Sequence, residues 1–189
     1  VFFFLKHKIT NFRELLLYYR KKFKQLQYIK DNMAEIVLVP CAKKKTIVLI
    51  PCSKKKQKTQ VKVKAKDLYT SSLLKKGKRY AELRKPDAIY ILSDKYHLLG
   101  LENKVEYYDI SIKDMSSEEK KAWGKKVIAQ LEQVADLKND KFIILAGENY
   151  LKQIKGLENI ELPLKGQKQG VRLRTLNEEI NRLEQEFNK

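Results

Sequence analysis

Cys52 and Ser53 are the first residues in this chain placed to do chemistry. They follow Ile47-Val48-Leu49-Ile50-Pro51 and precede Lys54, Lys55 and Lys56. A short apolar, mostly β-branched run closed by a turn signal reads as a buried strand. Pro51 brings no N–H to a ladder bond and so marks the strand's end. Cys52 and Ser53 then sit just past a strand's carboxyl end, where open α/β sheets hold ligands. A thiol beside three ammonium groups is expected to lean toward thiolate, the nucleophilic form. The competing reading makes Cys52 a small buried residue beside a solvated lysine loop.

His97 is the other candidate for proton transfer, since the chain's two histidines are His7 and His97. It follows Ser93-Asp94-Lys95-Tyr96 at the end of a second apolar run, Ala88–Leu92. It serves as general acid or base, or as a hydrogen-bonded structural histidine. Glu106 and Asp109 share a loop with Tyr107 and Tyr108, whose rings suit stacking on a base. The plain alternative is a surface loop. Ser53 with nearby N–H groups suits an anion. Tyr69, Ser71 and Ser93 offer hydroxyls to a substrate, Gly147 ends a third apolar run at Phe142–Ala146, and one lysine, Lys56, reaches the substrate. Lys54, Lys55 and Lys58 are assigned to nucleic acid.

Charge supports that assignment. Residues 1–86 carry 24 Lys/Arg against 5 Asp/Glu, and residues 87–189 carry 17 against 18, for a total of +18. A lysine-rich proteome would raise Lys in both halves. The concentrated excess around the Cys motif suits a polyanion, most simply nucleic acid or a nucleotide. An anionic membrane surface reached through residues 1–30 is the less favoured partner. Two cysteines point to a reducing cytoplasm rather than a disulfide framework. No zinc spacing, other metal motif or glycine-rich phosphate loop is present, so no common cofactor is implied.

The elements that must position these residues follow from periodicity. Val1–Leu5 is too short to span a membrane and lacks a signal-peptide core. Phe12, Leu15, Leu16, Tyr19, Phe23 and Leu26 recur at helical spacing among basic residues, with Asn11 and Glu14 as a capping box. This N-terminal basic amphipathic helix packs, binds a partner or lies on a surface, and packing is preferred. Met33-Ala34 is a candidate start, which makes residues 1–32 an extension and residues 33–189 one α/β domain. Residues 36–45 nearly repeat residues 47–56, and Cys41 is the spare of this local duplication. Asp67 is an expected N-cap for a broken helix through residue 84, ended by Lys85-Pro86-Asp87. Leu98-Leu99-Gly100-Leu101 reads as a turn. Ser116-Ser117-Glu118-Glu119 starts a helix carrying Trp123, Val127, Leu131 and Val134 to about residue 137. A short helix at 149–156, an extended segment at 160–164 and a C-terminal amphipathic helix with Leu176, Ile180 and Leu183 complete the pattern. The expected fold is α/β in three layers: a mostly parallel sheet of about four strands with helices on both faces. Three strand ends then bring Cys52/Ser53, Ser93/His97 and Gly147/Glu148 to one rim.

Several stretches together resemble a bacterial and phage family catalogued as domain of unknown function 6884. They are Pro51-Cys52-Ser53-Lys54-Lys55-Lys56, Asp67-Leu68-Tyr69-Thr70-Ser71 and Leu92-Ser93-Asp94-Lys95-Tyr96-His97-Leu98-Leu99, then Tyr108-Asp109, Met115-Ser116 and Leu145-Ala146-Gly147-Glu148-Asn149-Tyr150. The resemblance covers residues 46–165 and implies no established activity. Pro51, Cys52 and Lys56 are also similar to the start of the lysine-transferring part of archaeosine synthase. Gln57-Lys58 replace that family's Pro-Tyr, and its Ser and His do not follow. That distant resemblance implies a related α/β domain acting on a modified base. The sequence thus reads as an enzyme acting on a nucleobase or nucleotide, free or within DNA or RNA, through Cys52 with His97 or Asp109. The alternative is a non-catalytic nucleic-acid-binding module.

Overall fold

The strand expected at Ile47–Ile50 is the middle of the sheet. In the computed structural model, which describes Arg20 and residues 43–187, the elements in chain order are β1 (Thr46–Pro51), β2 (Val63–Lys64), α1 (Ala65–Leu68), α2 (Ser72–Leu83), β3 (Ala88–Ser93), β4 (His97–Gly100), β5 (Lys104–Val105), α3 (Ser117–Glu132), β6 (Lys141–Ile144), α4 (Glu148–Leu151), β7 (Asn159–Glu161) and α5 (Gln169–Phe187). The chain divides into two units after Lys43, and these elements belong to the second. The expected helix around Asn11 and Glu14 and the first copy's Cys41 lie outside the described residues. No helix among the described residues is long and apolar enough to cross a membrane.

Residues Ile47–Ile50 are all buried because β1 is covered on both edges and both faces. It pairs in parallel with β3 on one side and β6 on the other. An unbroken apolar run is what such a central parallel strand requires. β7 extends the sheet in parallel beyond β6, and β4 closes the other edge antiparallel to β3. The order is β4-β3-β1-β6-β7, so five strands replace the four expected.

The added strand is β4, from the segment read as a turn. Asp94-Lys95-Tyr96 reverses the chain so that His97 pairs with Ser93. The Tyr96 N–H donates to Ser93 Oγ at 3.0 Å, and His97 takes φ 65°, a left-handed conformation that ordinary residues avoid. Two apolar residues are too few to show a period, so local sequence could not separate strand from turn.

Alternate residues of β1 face different layers. Val48 and Ile50 share a core with Leu74, Tyr80 and Ala81 of α2 and with Leu176, Ile180 and Leu183 of α5. Ile47 and Leu49 share the other core with Trp123, Val127 and Leu131 of α3. Each fully buried aliphatic side chain contributes about 1.5–3 kcal/mol. The helix starts obey local rules. Ser71 Oγ accepts from the Leu74 N–H at 3.2 Å. Ser116 and Glu119 form a full capping box on α3. Asp67 lies inside α1, whose N-cap position is Lys64.

Candidate active site

The carboxyl ends of β1, β3 and β6 open into one cavity of about 890 Å³. β1 delivers Cys52. Its N–H donates to Leu92 O at 2.9 Å, one residue beyond Pro51, which fixes the thiol at the strand's end. β3 delivers Ser93 and Asp94. The turn after β6 leads through Gly147 into α4 and delivers Tyr150. The starts of α2 and α5 supply Ser71, Ser72 and Arg172 to the wall.

Three groups form a chain along the cavity's inner surface. Cys52 Sγ lies 3.5 Å from Tyr150 Oη, and the Tyr150 hydroxyl donates to Asp94 Oδ1 at 2.7 Å. Tyrosine has one hydroxyl proton, and Asp94 takes it, so the thiol is the donor to Tyr150. Burial first and the nearby Asp94 carboxylate second push the Cys52 thiol up to about 11. The thiolate expected from the neighbouring lysines is therefore not the resting state. Lys54 and Lys55 are exposed, where water screens them, and Lys56 Nζ sits 4.2 Å from the centre of the Tyr108 ring. Burial also holds the Tyr150 hydroxyl protonated. Asp94 is only 7% exposed, yet Oδ2 has no donor among the described residues.

Behind this chain lies a closed ring of hydroxyls. Tyr69 Oη donates to Ser93 Oγ at 3.3 Å, and both Tyr69–Tyr108 and Ser93–Tyr108 oxygen pairs stand at 2.8 Å. With Tyr69 donating to Ser93, one proton per oxygen closes the ring only if Ser93 donates to Tyr108 and Tyr108 to Tyr69. Trp123 Nε1 donates to the Ser93 carbonyl at 2.8 Å, and its ring meets Tyr150 edge-on with centroids 5.4 Å apart. Burial, then the neighbouring Cys52, raises the pKa of the Tyr69 and Tyr108 hydroxyls and keeps both protonated. The backing is thus neutral, saturated and rigid.

The mouth is cationic. Lys54, Lys55, Lys113 and Arg172 line it, against one exposed carboxylate, Glu148. Arg172 Nε donates to Gln167 O at 2.8 Å, and its guanidinium crosses the backbone at Gly147. A Cβ at Gly147 would stand 3.0 Å from Arg172 Nη1. Gly147 has an ordinary φ of −90°, so the close approach of the guanidinium, not the backbone conformation, calls for glycine there. Arg172 has no carboxylate partner among the described residues.

The structure gathers Cys52, Ser53, Ser71, Gly147, Lys54 and Lys55 on the cavity wall. Ser53 Oγ donates to Lys55 O at 2.9 Å. Tyr69 and Ser93 stand behind the wall in the hydroxyl ring, and Lys56 covers Tyr108. The remaining candidates are not brought to the cavity. His97 opens β4 away from it, half-buried, and burial and Lys126 lower its pKa. Asp109 is exposed, because its neighbour Tyr108 takes the inward position. Glu106 pairs with Lys62 at 3.6 Å on the surface, and Lys58 is exposed outside the mouth. Sequence reasoning missed Asp94, Tyr150 and Arg172 as site residues. Asp94 carried a signal, being the first residue after the β3 strand. Tyr150 closed the resembling stretch Leu145–Tyr150, though its type alone did not mark a proton relay, and Arg172 carried no signal that distinguished it from an ordinary helix residue. No group of three or more His, Cys, Asp and Glu among the described residues is placed to hold a metal ion.

Residues 47–178 match the pattern of a family described as Family of unknown function (DUF6884). The match spans well over half of the chain, and the chain belongs to that family. It reaches past the resembling stretch at 46–165 into α5, and so takes in Arg172. No curated protein and no solved structure matches the chain.

Proposed function

We propose that this member of the family is an enzyme acting on a nucleobase or nucleotide through Cys52, with Tyr150 and Asp94 as its proton path. The observation that carries this reading is the Cys52–Tyr150–Asp94 chain inside a cavity with a cationic mouth. A nucleophile, a relay and a buried carboxylate in hydrogen-bonded order follow the logic of activated-nucleophile sites. The thiol adds to an electrophilic ring carbon. The S–C bond forms, the π pair of the attacked C=N or C=O moves onto its heteroatom, the thiol proton passes to Tyr150, and the Tyr150 proton passes to Asp94. A protonated resting thiol suits this order, since the proton leaves only as the bond forms. The resemblance at Pro51, Cys52 and Lys56 to archaeosine synthase directs the reading to modified bases. His97 and Asp109 take no part in it.

Cys52→Ala tests the reading. Turnover of a nucleobase or nucleotide substrate is expected to vanish while affinity for it stays within a few-fold. An affinity that falls in step with activity would show that the thiol binds rather than reacts.

The second reading, a non-catalytic nucleic-acid-binding module, draws on the exposed Lys54, Lys55 and Lys58 and on the protonated thiol. It expects steep salt dependence, little effect of Cys52→Ala and a large loss when these three lysines are replaced together.

A further inference from the structure

The cavity is polar at both ends, with opposite preferences. Its inner end holds Asp94, a nearly buried carboxylate with one oxygen satisfied by Tyr150 and the other open to the cavity. That oxygen is reached from the cavity, so a ligand donor can take the place of water on it. Its outer end holds Lys54, Lys55, Lys113 and the guanidinium of Arg172, four cations against the single exposed carboxylate of Glu148. α2 begins in the same wall. Ser71 caps only the Leu74 N–H, which leaves the Ser72 and Leu73 N–H groups without acceptors. Four cationic side chains and two free N–H donors exceed what a single carboxylate needs. They match a phosphomonoester, which carries about −1.5 to −2 charge.

We infer that the ligand is a nucleoside monophosphate held at two points, with its phosphate between Arg172 and the lysines at the mouth and a sugar hydroxyl or base N–H on the free oxygen of Asp94. This rests on the proposed function and adds the substrate's phosphorylation state and its direction in the site. Burial sets the direction: Asp94 is 7% exposed, whereas Lys54, Lys55 and Lys113 are exposed. The donor-bearing end therefore enters first. The cavity lies within the ~300–1,000 Å³ usual for small-molecule sites, which is room for a single nucleotide. Arg172 is the specificity residue. Its Nε anchor on Gln167 aims the two Nη groups across Gly147, where no side chain intervenes.

Trp123 is the chain's single tryptophan and touches Tyr150, so its fluorescence reports on the inner end. The test titrates the full chain with nucleoside 5′-monophosphates, the matching nucleosides, ribose 5-phosphate and a dinucleotide lacking a terminal phosphate. Equilibrium dialysis gives independent affinities. The expected result is a monophosphate bound about 10- to 100-fold more tightly than its nucleoside. Arg172→Ala should remove most of that preference, and Arg172→Lys should restore part of it. Asp94→Asn should weaken nucleoside and monophosphate by the same factor and leave the preference intact. Far-UV circular dichroism checks that each variant is folded. Nucleoside and monophosphate binding equally would overturn the phosphate seat and leave the nucleotide reading standing. Tighter binding of the dinucleotide would overturn the free-monoester source in favour of nucleic acid. Ribose 5-phosphate binding as tightly as the nucleotide, with the same Arg172 dependence, would remove the base and overturn the nucleotide reading. No binding of any of the four would overturn both.

Discussion

Two buried aspartates stand at opposite ends of the sheet. Asp140 precedes β6 at the amino end, is 5% exposed, and has both oxygens occupied: Oδ1 accepts from the Lys45 N–H at 2.8 Å and Oδ2 from the Asp136 N–H at 2.9 Å. Asp94 follows β3 at the carboxyl end, is 7% exposed, and has one oxygen occupied. The surroundings repeat the contrast. At the amino end the Thr46 N–H donates to Asp87 Oδ2 at 2.7 Å, which ties down the start of β1. On the adjacent edge Glu161 is gripped by Arg84 through two bonds of 2.9 and 3.0 Å and by Lys141 at 2.7 Å. At the carboxyl end a carboxylate oxygen and two helix N–H groups have no partner among the described residues, and a thiol and a guanidinium line the cavity. Burial alone does not mark a site. Two carboxylates buried alike differ in whether the fold finishes their hydrogen bonds, and the unfinished one faces the cavity.

The sharpest break of this comparison removes each carboxylate in turn. Asp140→Ala strands two backbone N–H groups and should cost about 2–4 kcal/mol in urea unfolding. Asp94→Ala should cost about half as much, about 1–2 kcal/mol, because only the Tyr150 hydroxyl loses its acceptor, yet it should abolish turnover. Equal losses of stability would erase the distinction between the two ends.

Next in size is the packing that holds Tyr150 in place. Gly124 of α3 lets the helix close on the carbonyl of Gln153, just past α4, and an alanine there has no room. Gly124→Ala should cost about 1–3 kcal/mol and shift the emission of Trp123, read by thermal unfolding and fluorescence.

The thiol distinguishes the ends by charge. In a Cys41→Ser background, alkylation of Cys52 should titrate near 11 rather than at the free-thiol value of ~8.5. Asp94→Asn should lower that midpoint by removing a negative charge, and Asp140→Asn should leave it in place. Because the folded value is raised, the group's contribution to stability is complete below the unfolded value of ~8.5. It is lost as pH rises to about 11, since the unfolded chain releases the proton first. The smallest effect is expected at the saturated edge. Arg84→Ala should cost only about 0.5–1 kcal/mol, since water screens the half-exposed pair with Glu161, and added salt should shrink the difference.

Much of the fold was legible in the residues. β1, β3 and β6 announced themselves as apolar runs, and Ser116 marked a helix start by a type whose oxygen reaches its own third N–H, whereas the cap of α2 is Ser71 and not the expected Asp67. Cys52 and Ser53 could be placed past a strand end because Pro51 and the lysines punctuate the run. These signals are local, carried within one or two turns of chain. β4 was not legible, since Leu98 and Leu99 become a strand only by pairing with β3. Nor was the site's chemistry. The lysines beside Cys52 in sequence point outward, while the groups that govern its proton, Tyr150 and Asp94, arrive from other strands' ends. His97 and Asp109 lie close to the cavity in sequence yet turn away from it. What the sequence determined by itself is which segments can be strand, helix or strand end, because period and capping depend on neighbours along the chain. What only the tertiary structure decided is which side chains meet, which are dried and which keep a free hydrogen-bonding atom. Desolvation and pairing depend on neighbours in space, and folding supplies those.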